Sequence, residues 1–248
     1  MDSLEFTNLE HSLIQPETAV PRASTREQTR ARIRHGLMAG VFTPGQVLSL
    51  RKMAQALGTS LMPVRETLSQ LVAAGVLEGQ LNGSARVPKH SKEQLQDLYE
   101  VRNLLESRAA RLAAERATPR LIQELGQVNK ELLSAVKKRK LLECLSKNQE
   151  FHFMLYRASK SEVLMPIIEN VWLQSGPTLY FTLLEPGVHW DASAHSEVLD
   201  GLSDKDPNAV ARAISRDIRS TLKLLLTSDR WDHPGGLDGL SLDGIHLT

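Results

Sequence analysis

Residues 58–75 read GTSLMPVRETLSQLVAAG, and the reading of this stretch decides the fold. Val64, Leu68, Leu71 and Val72 recur at the three- and four-residue spacing that places side chains on one helical face. Gly58 stops whatever precedes, Ser60 stands where a hydroxyl caps a helix, and Gly75 marks the far end. Just upstream, Leu50, Met53, Ala54 and Leu57 describe a shorter helix with an apolar face of the same kind. Two short helices that share apolar faces across a Gly-containing turn are what a helix-turn-helix requires.

Working outward, Ser24 and Glu27 have capping-box spacing and predict a helix over 25–39, followed by a turn at Thr43-Pro44-Gly45. Downstream, Val76 and Leu77, then Asn82 and Gly83, then Ala85 and Val87 predict a short hairpin. Helix, helix, helix, hairpin is the order of a winged helix-turn-helix, spanning 22–90. Residues 1–21 carry Pro16 and Pro21 without sustained periodicity and predict a flexible arm.

Beyond Pro88, Ser91 with Gln94 has the spacing that opens a new helix. Helical patterns then run over 92–117, 119–138, 141–159, 162–184, 192–203 and 207–227, punctuated at Thr118-Pro119, Glu185-Pro186-Gly187 and Asp206-Pro207. With no strand-like alternation, residues 91–228 are expected to form an all-α antiparallel helical bundle, and 229–248, with four glycines, a tail. The fold class is mainly α.

The net charge of +1 over 248 residues hides an asymmetry. Residues 1–21 carry −4, residues 22–90 carry +7, and the remainder carries −2. A compact basic segment of this kind points to DNA. An aromatic content of 4% argues against stacking platforms for single-stranded nucleic acid. A hydrophobic share of 41% and a charged share of 24% are globular, and no apolar run approaches the ~18 residues of a membrane span. Cys144 stands alone, and no charged-then-apolar leader opens the chain, so a reducing, cytoplasmic setting is expected.

In the bundle, several apolar stripes are interrupted by polar groups. Arg102 sits among Leu98, Leu105, Ala109 and Leu112; Asn148 and His152 interrupt Leu141, Leu145 and Leu155. His195 shares a face with Ala192, Leu199 and Leu202, and Asp217 with Val210, Ile214, Thr221 and Leu224. Each such group would cost about 1–3 kcal/mol if buried alone, so the five are expected to meet. His189 is expected on a surface loop.

The segment 26–88 resembles the winged helix-turn-helix of the GntR family of bacterial transcription regulators. Thr43-Pro44-Gly45, Leu50-Arg51, Ala54 to Leu57-Gly58, Ser60, Pro63-Val64-Arg65-Glu66, Leu68, Leu71, Gly75 and Gly83 carry the resemblance. It implies a DNA contact set of Arg51, Ser60, Leu61, Met62, Arg65 and Gly83. Arg65, on the first turns of the recognition helix, can fork onto guanine O6 and N7, while Arg51 and Ser60 are placed for phosphates. Leu61 stands where many members carry Arg, so an apolar contact, such as one to a thymine methyl, replaces a polar one. The bland alternative is that Arg65 pairs with Glu66 or Glu78 on a solvated surface.

Residues 94–227 resemble the all-helical FCD ligand-binding domain of the FadR-type subfamily, through Tyr99-Glu100-Val101-Arg102, Leu105-Glu106, Phe151-His152, His195, Asp206 and Ala211. The resemblance implies a divalent metal held at Asn148, His152, His195 and Asp217. Asn148 replaces the family's Asp, and Asp217 replaces its third His, twenty-two residues after His195. Two imidazoles, one carboxylate and one amide oxygen suit zinc, nickel or manganese. A metal-free cluster, with Asp217 paired to His152 or Arg102, is the alternative. The position of Arg102 implies a site for a carboxylate effector.

The expectation is a homodimeric, ligand-responsive regulator, a repressor, that binds a palindromic operator of double-stranded DNA and responds to a small organic acid. A regulator that senses the ion itself is the alternative. A metalloenzyme using His152, His195 and Asp217 is a weaker one, since no separate general acid, base or nucleophile converges with them; the expectation is that the protein is not an enzyme.

Overall fold

The computed structural model describes residues 24–182 and 193–227; the expected arm, the tail and the loop holding His189 lie outside the described residues. The first capping box forms as its spacing predicts. The Glu27 amide donates to Ser24 Oγ at 3.3 Å and the Ser24 amide donates to the Glu27 carboxylate at 2.8 Å. Helix α1 (Thr25–Met38) leads to β1 (Val47–Leu48), α2 (Leu50–Leu57), α3 (Leu61–Ala73), β2 (Glu78–Gly79) and β3 (Ala85–Arg86).

The wing differs from its prediction in two respects. Its first strand is Glu78–Gly79, while Val76 and Leu77 are buried in the core, where their apolar side chains gain more than in an exposed ladder. A third strand, β1, joins it: Val47 lies opposite Arg86 and Leu48 opposite Ala85, giving the antiparallel order β1-β3-β2. Two residues are too short a run for alternation to reveal. The helices close on Ile33, Leu37, Leu48, Val64, Leu68 and Ala85, all essentially inaccessible. Arg32 donates to the Leu57 carbonyl at 3.1 Å, satisfying the end of α2 where Gly58 turns left-handed at φ +64°. Ser60 occupies the N-cap position of α3, but its hydroxyl makes no capping bond and stays exposed.

The second region comprises α4 (Lys92–Ala114), α5 (Pro119–Lys137), α6 (Leu141–Arg157), α7 (Leu164–Thr182), α8 (Ser193–Ser203) and α9 (Pro207–Thr227). Ser91 and Gln94 form the second capping box, Thr118 accepts from the Leu121 amide at 3.2 Å, and Asp206 accepts from the amides of Asn208 and Ala209 at 2.9 and 3.0 Å. Helix α4 ends three residues sooner than expected and α6 two, and α7 starts two later. Helix α4 packs against α6, α7 and α9, and α5 against α6 and α8. Fully buried Ala109, Ala110 and Ala113 keep the α4 surface low, and nearly buried Ala213 does the same for α9.

The two regions meet where α1 crosses α7. A Cβ on Gly176 would lie 2.4 Å from the Leu37 carbonyl oxygen, so backbone touches backbone there. Around this point Arg34 pairs with Glu169 at 2.8 Å, His35 hydrogen-bonds Ser146 at 3.3 Å, and Gln149 donates to the Met38 sulfur at 3.8 Å.

Candidate nucleic-acid interface and candidate metal centre

All six residues expected at the DNA surface lie exposed on one region of the winged head. Leu61 and Met62, on the first turn of α3, are 42% and 59% exposed, and Leu81 at the wing tip is 88% exposed. Large apolar side chains held this far into solvent favour a partner that covers them. Arg65 emerges one turn later and reaches the wing: a Cβ on Gly83 would stand 3.6 Å from its Nη1. Gly83 has φ +76°, a conformation that favours glycine. The solvated-surface pairing does not form, because Glu66 is taken by Arg26 at 2.7 Å, and Arg65 has no carboxylate partner among the described residues. Arg51 is the second residue of α2 and Ser60 precedes α3, both exposed as a phosphate contact requires.

In the bundle, the five polar groups do converge. Arg102 of α4, Asn148 and His152 of α6, and Asp217 of α9 line one cavity of about 30 Å³, together with Leu145, Trp172, Leu179, Thr182, Ile218 and Thr221. His195 of α8 joins through His152, with their Nε2 atoms 3.2 Å apart, and His152 Nε2 stands 3.4 Å from the Asp217 carboxylate. Ligand atoms of His152, His195 and Asp217 all lie within 4.8 Å of one another. The edge of a tetrahedron with bonds of about 2.0–2.1 Å is about 3.3 Å, so the two short separations have the size of a metal's coordination edges.

The outer partners fix the tautomers. Tyr156 OH donates to Glu106 at 2.7 Å and therefore accepts from His152 Nδ1 at 3.0 Å. His195 Nδ1 donates to Asn129 Oδ1 at 3.2 Å. With both Nδ1 atoms protonated, both Nε2 lone pairs face the same small space. Such an arrangement suits a cation between them, either a metal ion or a proton shared with Asp217. The residues present thus fit a divalent ion. Burial, then the nearby His152, pushes the His195 pKa down to about 3, which keeps that ring a neutral ligand. With the shared proton in place, burial would raise the Asp217 carboxyl, but its hydrogen bond to His152 outweighs burial and holds it below the ordinary carboxylate value.

Arg102 is not the free fork expected of an effector clamp. Its Nε and Nη2 donate to Glu106 at 2.7 and 3.4 Å, and its guanidinium is sandwiched 4.8 Å from Tyr99 and 4.6 Å from Trp172. Burial opposes its charge, yet Glu106 outweighs burial and raises its pKa. Among the described residues only Nη1 lacks a hydrogen-bond partner. A ligand therefore meets one unengaged nitrogen here, not the two of an open fork. Glu106, Tyr156, Asn129 and Trp172 complete the site and escaped prediction. Glu106, at 0% exposure, carried a signal all the same, since it lies one turn beyond Arg102. Asn129 and Trp172 are indistinguishable by sequence from ordinary polar and core residues.

Comparison with known proteins agrees with both halves. The profile of the bacterial regulatory proteins of the gntR family matches residues 25–87, and that of the FCD domain matches residues 97–220. The chain is similar to the HTH-type transcriptional regulator McbR of Escherichia coli K12, 32% identical over 60% of this chain and 67% of that protein. It is also similar to the Nta operon transcriptional regulator of Aminobacter aminovorans, 33% identical over 52% of this chain and 61% of that protein, so less than two thirds of that relative is spanned. The solved structure of E. coli McbR/YncC superposes with a TM-score of 0.74 at 27% identity, covering 83% of this chain and 98% of that one. These families and relatives are regulators of transcription, not enzymes, which removes the metalloenzyme alternative. The chain belongs to the GntR family of transcriptional regulators, with a winged DNA-binding head and a C-terminal FCD domain.

Proposed function

We propose that this regulator acts in the cytoplasm as a homodimeric repressor that binds a palindromic operator and is switched through a divalent ion in its helical domain. The observation that carries the DNA half is the exposed Arg65, without a carboxylate partner and seated beside the wing glycine at the start of α3. Recognition helices present these first turns to base edges in the major groove, and a two-fold dimer reads two half-sites. No helix among the described residues is long and apolar enough to cross a membrane.

The ion would be held by His152, His195 and Asp217, with the Asn148 amide oxygen beside them. When bound, it supplies open coordination positions for an anion. Asn129 and Tyr156 hold the two rings in the required tautomer, Glu106 anchors Tyr156, and Nη1 is the one nitrogen of the Arg102 guanidinium without a partner among the described residues. A small organic acid would span the ion and Nη1. The cavity of about 30 Å³ holds an ion and one water-sized group, so an acid enters only if Leu179, Thr182 or Thr221 moves aside. That volume favours a second reading, in which the ion itself is the effector.

The test is an operator titration by mobility shift, with wild type and Arg65→Ala, each with and without added zinc, nickel or manganese. Arg65→Ala should lose about 10- to 100-fold in specific affinity while circular dichroism is unchanged. Equal affinity of the two proteins would overturn the recognition role. Metal addition alone changing affinity selects the ion-sensing reading; dependence on an added acid selects the other.

A further inference from the structure

Residues 80–84, Gln-Leu-Asn-Gly-Ser, join β2 to β3 at the tip of the wing and carry no charge. A projection made to grip phosphates would carry Lys or Arg here. Instead, Leu81 is 88% exposed, the most exposed of the large apolar side chains among the described residues. A single leucine in solvent is ordinary on a protein surface. This one stands two residues from Gly83, against which Arg65 lies, so it borders the surface of Leu61, Met62 and Arg65 that faces DNA.

The tip is also braced. Gly79 pairs with Ala85 at its base, the Gln80 amide donates to the Ser84 carbonyl at 3.0 Å, and the Ser84 amide donates to the Leu81 carbonyl at 3.4 Å. Asn82 at φ +59° and Gly83 at φ +76° turn the chain left-handed immediately after Leu81. Behind them stand Leu50 and Arg65, since a Cβ on Gly83 would lie 3.2 Å from Leu50 Cδ1 and 3.6 Å from Arg65 Nη1. The turn is therefore held from behind and presents its one apolar side chain outward, with little ordering left to do on binding.

With the first turns of α3 in the major groove, a projection beside α3 meets the duplex across the flanking strand, at the next minor groove. That groove is about 6 Å wide and admits a narrow tip of Leu, Asn and Gly. Leucine is one of the side chains that part stacked base pairs from the minor groove, and Asn and Gln are among those that take its acceptors. Gln80 and Asn82, both exposed, flank Leu81 on either side.

We propose that Leu81 is a wedge that enters the minor groove beside the α3 contact, parts one base-pair step and bends the operator around the head. This deepens the reading of the head as an operator-binding domain and rests on it. The exocyclic amino group of guanine projects into the minor groove, so the parted step is A·T-rich, and a TA step separates most easily. The operator thus carries such a step on the flank of each half-site, read by its deformability.

The experiment uses the full chain and a duplex of about 30 base pairs carrying the site that wild-type protein selects from a random-sequence pool. Affinity is measured by mobility shift, bending by energy transfer between dyes on the duplex ends, and unstacking by the fluorescence of 2-aminopurine placed at each flanking adenine in turn. Wild type should bend the duplex by some 20–90° and raise the fluorescence at one step per half-site. Leu81→Ala, with circular dichroism unchanged, should lose about 10-fold in affinity and abolish both the bend and the fluorescence rise. Leu81→Met should restore all three to within about threefold. Changing the parted step to G·C should weaken wild type but not Leu81→Ala, and inosine in place of that guanine should restore wild-type affinity. The wedge is overturned if wild type leaves every 2-aminopurine stacked, or if Leu81→Ala binds and bends as wild type does. Unchanged DNA binding by Leu81→Ala with altered sedimentation would instead assign the tip to a protein partner. Arg65→Ala separates the two readings: if it loses affinity while Leu81→Ala behaves as wild type, the wedge fails and the operator-binding head stands. If no site is selected at all, the head's reading fails as well.

Discussion

Asp217 supplies the negative charge that two neutral imidazoles lack, and it stands at the mouth of the cluster with its side chain 19% exposed. Asp217→Asn keeps the shape and removes the charge. Metal analysis of the purified protein should then show the ion lost or its affinity reduced by ~100-fold or more, since even outer partners of a metal ligand are worth 10- to 100-fold. Wild-type protein that carries no ion after purification and takes up none on titration would leave the shared proton as the occupant. The ligand candidates were legible in the sequence because polar residues interrupting apolar stripes are expensive unless they meet, and Arg102, Asn148, His152, His195 and Asp217 do meet. What was not legible is which partner each takes. A guanidinium in a predicted effector position reads as free, yet Glu106 one turn away neutralises it, and only packing decides that the pair is buried together.

Helix α7 serves two surfaces at once. Trp172, Leu179 and Thr182 wall the cavity, and Gly176 between them receives the backbone of Leu37 and Met38. Pro177, next in the chain, lacks an amide to donate within the helix. Gly176→Ala should destabilise the protein by about 1–3 kcal/mol through overpacking. At about 2–4 °C per kcal/mol for a chain of this size, the loss is readable as a fall in melting temperature. Gly126→Ala in α5 is the control, because a Cβ there meets nothing within 4 Å, and it should be neutral or gain up to ~1 kcal/mol. Equal effects of the two substitutions would contradict the contact. Element starts were the most legible feature of the fold: both capping boxes and the Thr118-Pro119 and Asp206-Pro207 starts lie where hydroxyl, carboxylate and proline place them. The wing was least legible. Its strands are two residues long, so their pairing comes from the surrounding core and not from any pattern within them.

Across the whole molecule, two histidines lie near the junction of head and bundle. Burial lowers the pKa of His35, with Glu150 and Gln149 pulling it back up; burial likewise lowers His90, opposed by the Gln174 backbone and Glu78. Both therefore bind protons less readily folded than unfolded. Their contribution to stability is whole above the unfolded value of 6.5 and is lost as pH falls from there toward the depressed folded values. Denaturant titrations from pH 7.5 to 5.5 should show falling stability, and replacing His35 and His90 together by Gln should flatten part of that slope. A slope unchanged by the double substitution would assign the titration elsewhere.

The backbone contact at Gly176 also bears on modularity. A winged head from a relative cannot be grafted onto this bundle by matching the linker alone, because the last turn of its first helix must offer bare backbone to a glycine. Conversely, this head transplanted onto a bundle with any larger residue at the position of Gly176 would be held off its seat. Chimeric regulators built from this chain should therefore exchange α1 and the middle of α7 as one unit.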